Sequence, residues 1–410
     1  MTDENPDEDA ETPTISAADL YERIRRGERV NLLDVRNRDE FEAWRIGGAS
    51  VEATQVPYAE CMAAKARGEV GEFVAQLDVR EPVVAVCPRG EASATVADLL
   101  REDGIEARNL AEGMEGWARV YVSKELSSSP AGATVLQYDR PATGCLSYLV
   151  VSGDEAAVVD PLRSFADRYV ADAEERGAEL RWAIDTHVHA DHLSGVRRLA
   201  SETDATAVYP TGATERGLEF AARLSDDADS SNDRQALRLL EDGDELQVGD
   251  ATLTALHAPG HTTELTALRL GDLLFSGDAL FADSFGRPDL QQGDDGARDL
   301  AGTLFDTLTE RLFVLPDVTL VAPGHRTPNA EPNPDGNSTY TARLETVRER
   351  LRMPDEKATF VERVLDSLPP RPNNYESIVP ANLGRESLDD ESAFEMELGP
   401  NNCAVGAEAD

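Results

Sequence analysis

The sequence lacks any apolar run close to the roughly 20 residues that a transmembrane helix needs. It also lacks the start of a secretory signal peptide, because its first residues, MTDENPDEDAETPT, are acidic where such a peptide is basic and then apolar. These two absences argue against an integral membrane protein and a secreted one. We therefore expect a soluble, cytoplasmic protein with no membrane partner.

Cysteine is also scarce, and the chain contains four: Cys61, Cys87, Cys145 and Cys403. Their spacing shows no pairs and no CxxC motif, so the sequence predicts neither a disulfide framework nor a zinc ribbon. A cysteine with a chemical role must therefore act alone. Cys61 falls on a helical segment, Cys145 in an apolar strand that predicts a core position, and Cys403 in the C-terminal tail.

Positive charge is in short supply. The chain has 39 lysines and arginines against 79 acidic residues, a net charge of −40, and its lysines are Lys65, Lys124 and Lys357. Nucleic acid is therefore not an expected partner. The many acidic side chains repel one another at low salt, but in molar salt the Debye length falls to roughly 3 Å and this repulsion is screened. The composition resembles that of haloarchaeal proteins and implies a salt-rich cytoplasm; an ordinary acidic protein is the alternative.

The chain is too long for one ordinary core, and its patterns divide it into two domains. Charged tails are expected at 1–12 and 386–410, because both segments offer almost nothing to bury. Serine, proline and glycine cluster within 123–133, which predicts a linker between a first domain at 13–122 and a second at 134–385.

The two domains differ in the pattern of their apolar residues. In the first, short apolar runs alternate with helical patterns such as SATVADLLREDG, which predicts an α/β domain with a parallel sheet flanked by helices. In the second, strand pairs joined by Gly-Asp turns alternate with helices, as in DELQVGDATLTALHAPG. That pattern predicts two sheets packed together and covered by helices.

A set of histidines and aspartates in the second domain has the composition of a metal site. Each lies directly after an apolar strand or in the stretch THVHADHLSG at 186–195 that follows one: His187, His189, Asp191, His192, His261, Asp278 and His325. If the strand continues, His187 and His189 point to the same side, because they are two residues apart. The set predicts a metal centre. His257, inside a strand, is expected to pack or to support a ligand.

The spacing HxHxDH, then His, Asp and His, resembles the metallo-beta-lactamase fold over most of 134–385 and implies an αββα sandwich with the metal at one edge of its sheets. Two occupancies are open. Two zinc ions would use all seven residues, with Asp278 between the ions, and would hydrolyse esters or thioesters. One Fe(II) would use His187, His261 and Asp278 and leave positions for O₂ and a sulfur substrate, while the other four residues orient ligands and waters.

Two further segments favour iron. GDALFADSFGRPDLQQG at 277–293 and LPPRPNNYESIVPANLG at 368–384 resemble the corresponding segments of persulfide dioxygenases. The resemblance implies that Arg287 and Asp289 lie at the mouth through which the substrate enters. Glyoxalase II proteins share the seven ligands and are the alternative, although their C-terminal module is helical and carries basic residues that bind glutathione.

A separate candidate site lies in the first domain, in EPVVAVCPRGEASATVADLL. A buried strand ends at Cys87, a short loop contains Gly90, and a helix begins near Ser93. The loop and the helix N-terminus direct N–H groups at the sulfur, which favours a thiolate or a persulfide anion. Arg89 adds a positive charge that would meet an anionic sulfur donor.

This loop, together with LLDVRNRDEFEAWRIGGA and AEGMEGW, resembles the rhodanese family over 13–122. The resemblance implies that Cys87 is the catalytic residue and carries sulfane sulfur. The loop departs from the family pattern at Pro88, which removes one N–H from the cradle, and at Ala92, where many members have arginine. An inert rhodanese-like interaction domain is the alternative.

Together these resemblances imply a rhodanese-like domain fused to a persulfide dioxygenase. A low-molecular-weight thiol persulfide and O₂ would give sulfite at the iron, and Cys87 would exchange sulfur with thiosulfate. The rivals are a dizinc thioester hydrolase with an attached sulfurtransferase and a non-catalytic sulfur carrier or sensor. The sequence leaves open the carrier thiol, the direction of sulfur transfer and whether the chain forms a homo-oligomer.

Overall fold

The computed structural model describes residues 12–77, 79–128, 130–219, 237–328, 330–399 and 402–405. The chain divides into two compact units, one of Met1–Val120 with Arg140–Thr143 and one of Tyr121–Asp139 with Gly144–Asp410. The first division between the units falls after Val120, and the predicted bounds of the domains stay predictions.

The first unit contains a five-stranded sheet in which every pair of neighbouring strands is parallel. Its strands are β1 (Thr14–Ile15), β2 (Val30–Asp34), β3 (Val51–Gln55), β4 (Val83–Val86) and β5 (Ala107–Leu110), in the order β1-β5-β4-β2-β3. Its helices are α1 (Ala17–Arg25), α2 (Arg38–Ala43), α3 (Tyr58–Arg67), α4 (Val70–Gln76), α5 (Glu91–Glu102) and α6 (Gly113–Ala118). The apolar runs become β2 and β4, which are buried along their whole length, as strands covered on both faces must be. The predicted α/β domain is confirmed.

The second unit contains two sheets. The first has seven strands: β6 (Val122–Glu125), β7 (Thr134–Arg140), β8 (Cys145–Ser152), β9 (Glu155–Val159), β10 (Glu179–Ile184), β11 (Thr206–Pro210) and β12 (Leu237–Leu240), in the reverse of chain order. The other has six, in chain order: β13 (Glu245–Val248), β14 (Ala251–His257), β15 (Thr266–Leu270), β16 (Leu273–Gly277), β17 (Leu320–Pro323) and β18 (Ala342–Arg343). The Gly-Asp turns join β13 to β14 and β15 to β16, which pair antiparallel.

Helices cover the outer faces of both sheets. The helices that the structure describes in this unit are α7 (Ala166–Glu174), α8 (Val196–Glu202), α9 (Gly293–Asp306), α10 (Leu344–Leu351), α11 (Lys357–Asp366), α12 (Tyr375–Asn382) and α13 (Asp390–Met396). Between the sheets, residues of both, such as Tyr148, Leu253 and Phe275, form one apolar cluster. A second cluster joins the seven-stranded sheet to α7 and α8, and a third joins the six-stranded sheet to α9, α10 and α11. The predicted αββα sandwich is confirmed.

The chain between and beyond the predicted domains differs from the expected linker and tail. Within 123–133 the chain forms most of β6, which pairs antiparallel with β7. At the C-terminus, α13 begins after Asp389, whose carboxylate accepts the Ser392 N–H at 2.8 Å, and buries Phe394. Cys403 is also buried. The acidic composition of 386–410 concealed these few apolar anchors, and a few anchors are enough to hold a short segment.

The sequence also predicted a charged N-terminal tail and no membrane-spanning segment. The predicted tail at 1–12 lies outside the described residues, apart from Thr12. Among the helices that the structure describes, none has the length and apolar character needed to cross a membrane.

Candidate functional site

The seven metal-type residues of the second unit meet at one edge of the sandwich. β10 leads into the stretch at 186–195, His261 follows β14, Asp278 directly follows β16, and His325 follows β17. β16 and β17 are parallel neighbours, so their carboxyl ends reach the same edge. All seven side chains are buried: His187, His189, Asp191, His192, His261, Asp278 and His325. His257 lies apart, at the end of β14, with its Nε2 3.0 Å from the Thr263 carbonyl oxygen.

His187, His261 and Asp278 form one group whose ligand atoms all lie within 4.8 Å of one another. Asp278 Oδ2 is 3.9 Å from His187 Nε2 and 3.7 Å from His261 Nε2. These are the same three residues that the iron reading of the sequence selects.

The opposite nitrogen of each of these imidazoles is fixed by a hydrogen bond. Thr186 Oγ1 donates to Asp160 Oδ2 at 2.9 Å, so it accepts from His187 Nδ1, which is 2.9 Å away. His261 Nδ1 donates to the Arg287 carbonyl at 2.7 Å. Both rings therefore present a lone pair on Nε2 towards Asp278. Burial keeps them neutral, because it lowers the pKa of His187 and of His261.

The donor atoms of this group are suited to a metal ion. His187 Nε2 and Asp278 Oδ2 are buried and have no hydrogen-bond partner among the described residues. Buried polar atoms nearly always have a partner, so these two indicate a binding position. Two neutral imidazole nitrogens and one carboxylate oxygen are the donors of the two-histidine, one-carboxylate iron site.

His189 belongs to a different group. Its Nε2 lies 3.3 Å from Asp160 Oδ1 and 3.5 Å from Asp185 Oδ1. Burial opposes protonation of His189, but its interactions with these two carboxylates raise its pKa to about 9. Asp160 therefore contacts His189 as well as Thr186, and neither Asp160 nor Asp185 was identified from the sequence.

A third group surrounds Asp191. Its Oδ2 lies 2.8 Å from His325 Nε2, 3.3 Å from His192 Nδ1 and 3.3 Å from Cys145 Sγ. Burial alone would raise the pKa of Asp191, but the two histidines hold it well below its usual range. His325 Nδ1 is 2.6 Å from Asp278 Oδ1, which connects this group to the first. The sequence assigned Cys145 to the core; it is buried, and it also belongs to this ligand-type group.

Arg287 and Asp289 are both buried, and their place at the substrate mouth stays a prediction. Arg287 is 1% exposed and donates to Asp289 Oδ1 at 2.7 Å and Oδ2 at 2.9 Å. It also donates to the carbonyls of Pro370 (2.7 Å) and Asn402 (3.1 Å). The side chain therefore connects the loop after β16 to two C-terminal segments.

The first unit places Cys87 in the loop between β4 and α5. The residue is 2% exposed, and its Sγ accepts the Gly90 N–H at 3.0 Å. Ser93 Oγ lies 3.0 Å from the same sulfur and 2.7 Å from Asn109 Oδ1. Gly90 has φ +95°, and a Cβ there would lie 3.0 Å from the Glu112 nitrogen, so the loop requires glycine.

Arg89 lies in this loop and is exposed. Its guanidinium can therefore meet an incoming anion, whereas Pro88 has no N–H to offer to the sulfur.

Two family models match the chain: Rhodanese-like domain over residues 16–120 and Metallo-beta-lactamase superfamily over residues 140–325. The chain is 32% identical over 261 residues to persulfide dioxygenase ETHE1, mitochondrial, of Bos taurus, an alignment that covers 62% of this chain and 89% of that protein. The chain belongs to the persulfide dioxygenase family. It is 30% identical over 260 residues to the Homo sapiens protein of the same name, with the same two shares covered.

A solved structure is also similar to this member of the persulfide dioxygenase family. The metallo-beta-lactamase of Staphylococcus aureus subsp. aureus COL matches with a TM-score of 0.52 and 24% identity, over 63% of this chain and 74% of that one. This likeness concerns the fold. The fusion of a rhodanese-like domain with a persulfide dioxygenase that the sequence implied is confirmed, and its haloarchaeal character stays a prediction.

Sequence reasoning missed residues that hold the ligand-bearing stretch of this family member. Asn382, in the PAN segment, donates to the carbonyls of His189 (2.9 Å) and His192 (2.8 Å) and accepts the Ser194 N–H at 2.9 Å. The buried Glu397 accepts the Leu193 N–H at 2.8 Å. The PAN segment was recognised by resemblance, but no local feature of the sequence indicated that Asn382 would form hydrogen bonds with the main chain of the stretch at 186–195.

Proposed function

We propose that the second unit oxidises a low-molecular-weight thiol persulfide with O₂ to sulfite, with one Fe(II) held by His187, His261 and Asp278. The observation that carries the proposal is the convergence of two neutral imidazole nitrogens and one carboxylate oxygen, of which His187 Nε2 and Asp278 Oδ2 are buried without a hydrogen-bond partner in the described chain. The names of the relatives that are 30–32% identical support the same chemistry.

The overall reaction is RSSH + O₂ + H₂O → RSH + SO₃²⁻ + 2 H⁺. The S–S bond breaks, the outer sulfur loses four electrons, and O₂ accepts them. Bound Fe(II) would supply open positions for O₂ and sulfur and the electron transfer that O₂ chemistry requires.

The protein residues fix the charge and direction of the ligands. Thr186 and the Arg287 carbonyl keep hydrogen on Nδ1 of the two histidines, so that both Nε2 atoms stay available. His325 contacts Asp278 Oδ1, which leaves Oδ2 as the donor. Burial alone would raise the pKa of Asp278, but His325 lowers it, so the carboxylate stays ionised at neutral pH.

For the first unit we propose sulfane-sulfur transfer through Cys87: Cys–S⁻ + S₂O₃²⁻ ⇌ Cys–S–S⁻ + SO₃²⁻. The Gly90 N–H and the Ser93 hydroxyl supply donors to the sulfur anion, and Arg89 offers positive charge to thiosulfate or sulfite. Sulfite is a product of the iron reaction and a reactant of the reverse transfer, which gives the two activities a shared intermediate.

One observation favours a second candidate. Cys145, Asp191, His192 and His325 offer ligand atoms within 4.8 Å of one another, as a second ion would need. A dizinc thioester hydrolase is therefore the alternative.

Metal analysis of protein purified without O₂, combined with substitution of the ligands, separates the two functions. We expect one iron per chain, loss of iron in His187→Ala and Asp278→Ala, and retained iron with weakened turnover in His189→Ala and Asp191→Asn. Two zinc ions per chain and hydrolysis of a thioester without O₂ uptake would support the alternative instead.

A further inference from the structure

Glu264 is a buried carboxylate three residues after His261. Its side chain is 0% exposed and receives a hydrogen bond of 2.6 Å from Arg216 Nη1, whose side chain is 9% exposed. Burying two charges has a large desolvation cost, and such a pair is weak evidence for stability by itself. The presence of this buried pair therefore needs an explanation other than stability.

Those contacts are made to the main chain between two histidines of the metal centre. Glu264 Oε1 accepts the Val188 N–H at 3.0 Å, and Arg216 Nη1 reaches the Val188 carbonyl at 3.5 Å. Val188 lies between His187 and His189, so one ion pair contacts both peptide groups at this position. The carboxylate thereby ties the segment that carries His261 to the segment that carries His187.

The surroundings of Glu264 restrict its movement. A Cβ at Gly212 would lie 2.7 Å from the Glu264 Cβ, so the absence of a side chain at 212 makes room for the carboxylate stem. Other contacts hold the main chain before and after Val188. Before it, the Thr266 N–H donates to the Thr186 carbonyl at 2.9 Å. Asn382 holds the later residues of the turn and makes none of the Val188 contacts described above.

We propose that Glu264, balanced by Arg216, is a positioning residue of the metal centre, which fixes the backbone at Val188 and so the direction in which His187 presents Nε2. The inference rests on the proposed function for the identity of the ion.

Glu264→Gln tests the proposal with little change in volume. It removes the carboxylate charge and leaves the buried Arg216 guanidinium without the countercharge of Glu264. We expect Co(II)-substituted full-length protein to release Co(II) to a chelator about 10- to 100-fold faster than wild type, because removing groups that orient metal ligands typically lowers metal affinity by about this factor. The ligand-field absorption of the bound Co(II) should also shift, because the direction of one imidazole changes.

Asp172→Asn is the matched control. Asp172 is also a buried carboxylate, with a side chain 5% exposed, and accepts from Arg168 at 2.8 Å and Tyr138 at 2.7 Å, but it lies on α7 and belongs to none of the metal-type groups. It should lower stability without changing Co(II) release or absorption.

A double variant separates positioning from folding. Arg216→Met with Glu264→Leu removes both charges, so the unfolding midpoint should recover towards wild type while Co(II) release stays fast. Wild-type release in Glu264→Gln, or release that recovers together with stability in the double variant, would overturn the proposal. If wild type takes up no O₂ with a persulfide but Glu264→Gln still loosens the metal, the proposed function fails and the positioning role stands.

Discussion

Replacing Arg287 by Met should destabilise the second unit strongly. The side chain donates to both oxygens of Asp289 and to the carbonyls of Pro370 and Asn402, and it is 1% exposed. Removing one partner of a buried ion pair costs about 3–5 kcal/mol, because the other charge stays buried. Arg371 Nε also contacts Asp289 Oδ2, at 3.1 Å, and still compensates part of the carboxylate charge. We therefore expect a loss of unfolding free energy near the lower end of this range, about 3 kcal/mol.

Urea unfolding at constant high KCl measures this loss. Trp182 reports on the second unit, where its Nε1 donates to the Gln247 carbonyl at 2.7 Å between the two sheets, and Trp44→Phe with Trp117→Phe removes the signal of the first unit. With a slope of about 2 kcal/mol per M, the midpoint should fall by roughly 1.5 M.

The double variant Arg287→Met with Asp289→Leu supplies the control, because it removes both charges of the buried pair while Arg371 keeps Asp294 as a partner. It should be more stable than Arg287→Met alone. A single variant within about 1 kcal/mol of wild type would refute the view that this pair holds the C-terminal segments to the loop after β16.

Three further predictions concern sulfur transfer, pH and salt. Cys87→Ser should abolish sulfur transfer from thiosulfate to cyanide and leave O₂ uptake with a supplied persulfide intact. The control Cys61→Ser should leave transfer unchanged, because burial raises the pKa of Cys61 to about 11 and its thiol stays protonated at neutral pH. Transfer by Cys87→Ser at the wild-type rate would contradict the assignment of Cys87. Burial alone would raise the pKa of Asp289, but Arg287 holds it below its usual range, so in acid the unfolded chain binds more protons than the native chain. The stabilisation that the Asp289 carboxylate gives the fold is therefore present above the ordinary carboxyl pKa and is lost as pH falls through the lower native pKa. Asp289→Asn should therefore flatten the acid limb of the unfolding free energy measured against pH, and an unchanged limb would count against this carboxylate. The unfolding free energy of wild type should rise steeply with KCl because of the net charge of −40, and a flat series would contradict the halophilic reading.

The fold could be predicted because its signals are local. Apolar runs became β2 and β4, and Gly-Asp turns became the hairpins β13–β14 and β15–β16. The metal-type residues were recognisable because each follows a strand, and strand ends on one edge lie close together. The division into the group of His187, His261 and Asp278 and the three other groups, one of which joins Cys403 to Asp278 and His325, depends on the direction of side chains, which spacing does not give.

The residues that the sequence did not reveal act over long separations. Glu264 reaches Val188 across 76 positions, and Asn382 reaches the His189 carbonyl across 193. No periodicity or spacing connects such pairs, because they meet only after the sheets have packed. The burial of Arg287 is another example: its partners Pro370 and Asn402 lie 83 and 115 positions away, so this burial has no local signature.

Iron-dependent oxidation of a persulfide is tested most directly by following O₂ and sulfite together. Protein purified without O₂ is given glutathione persulfide in a closed oxygen-electrode cell, and sulfite is measured in the same sample. We predict equal amounts of O₂ consumed and sulfite formed, with both signals lost in His261→Ala. Absence of O₂ uptake by wild-type protein that carries its full metal content would contradict the proposed function.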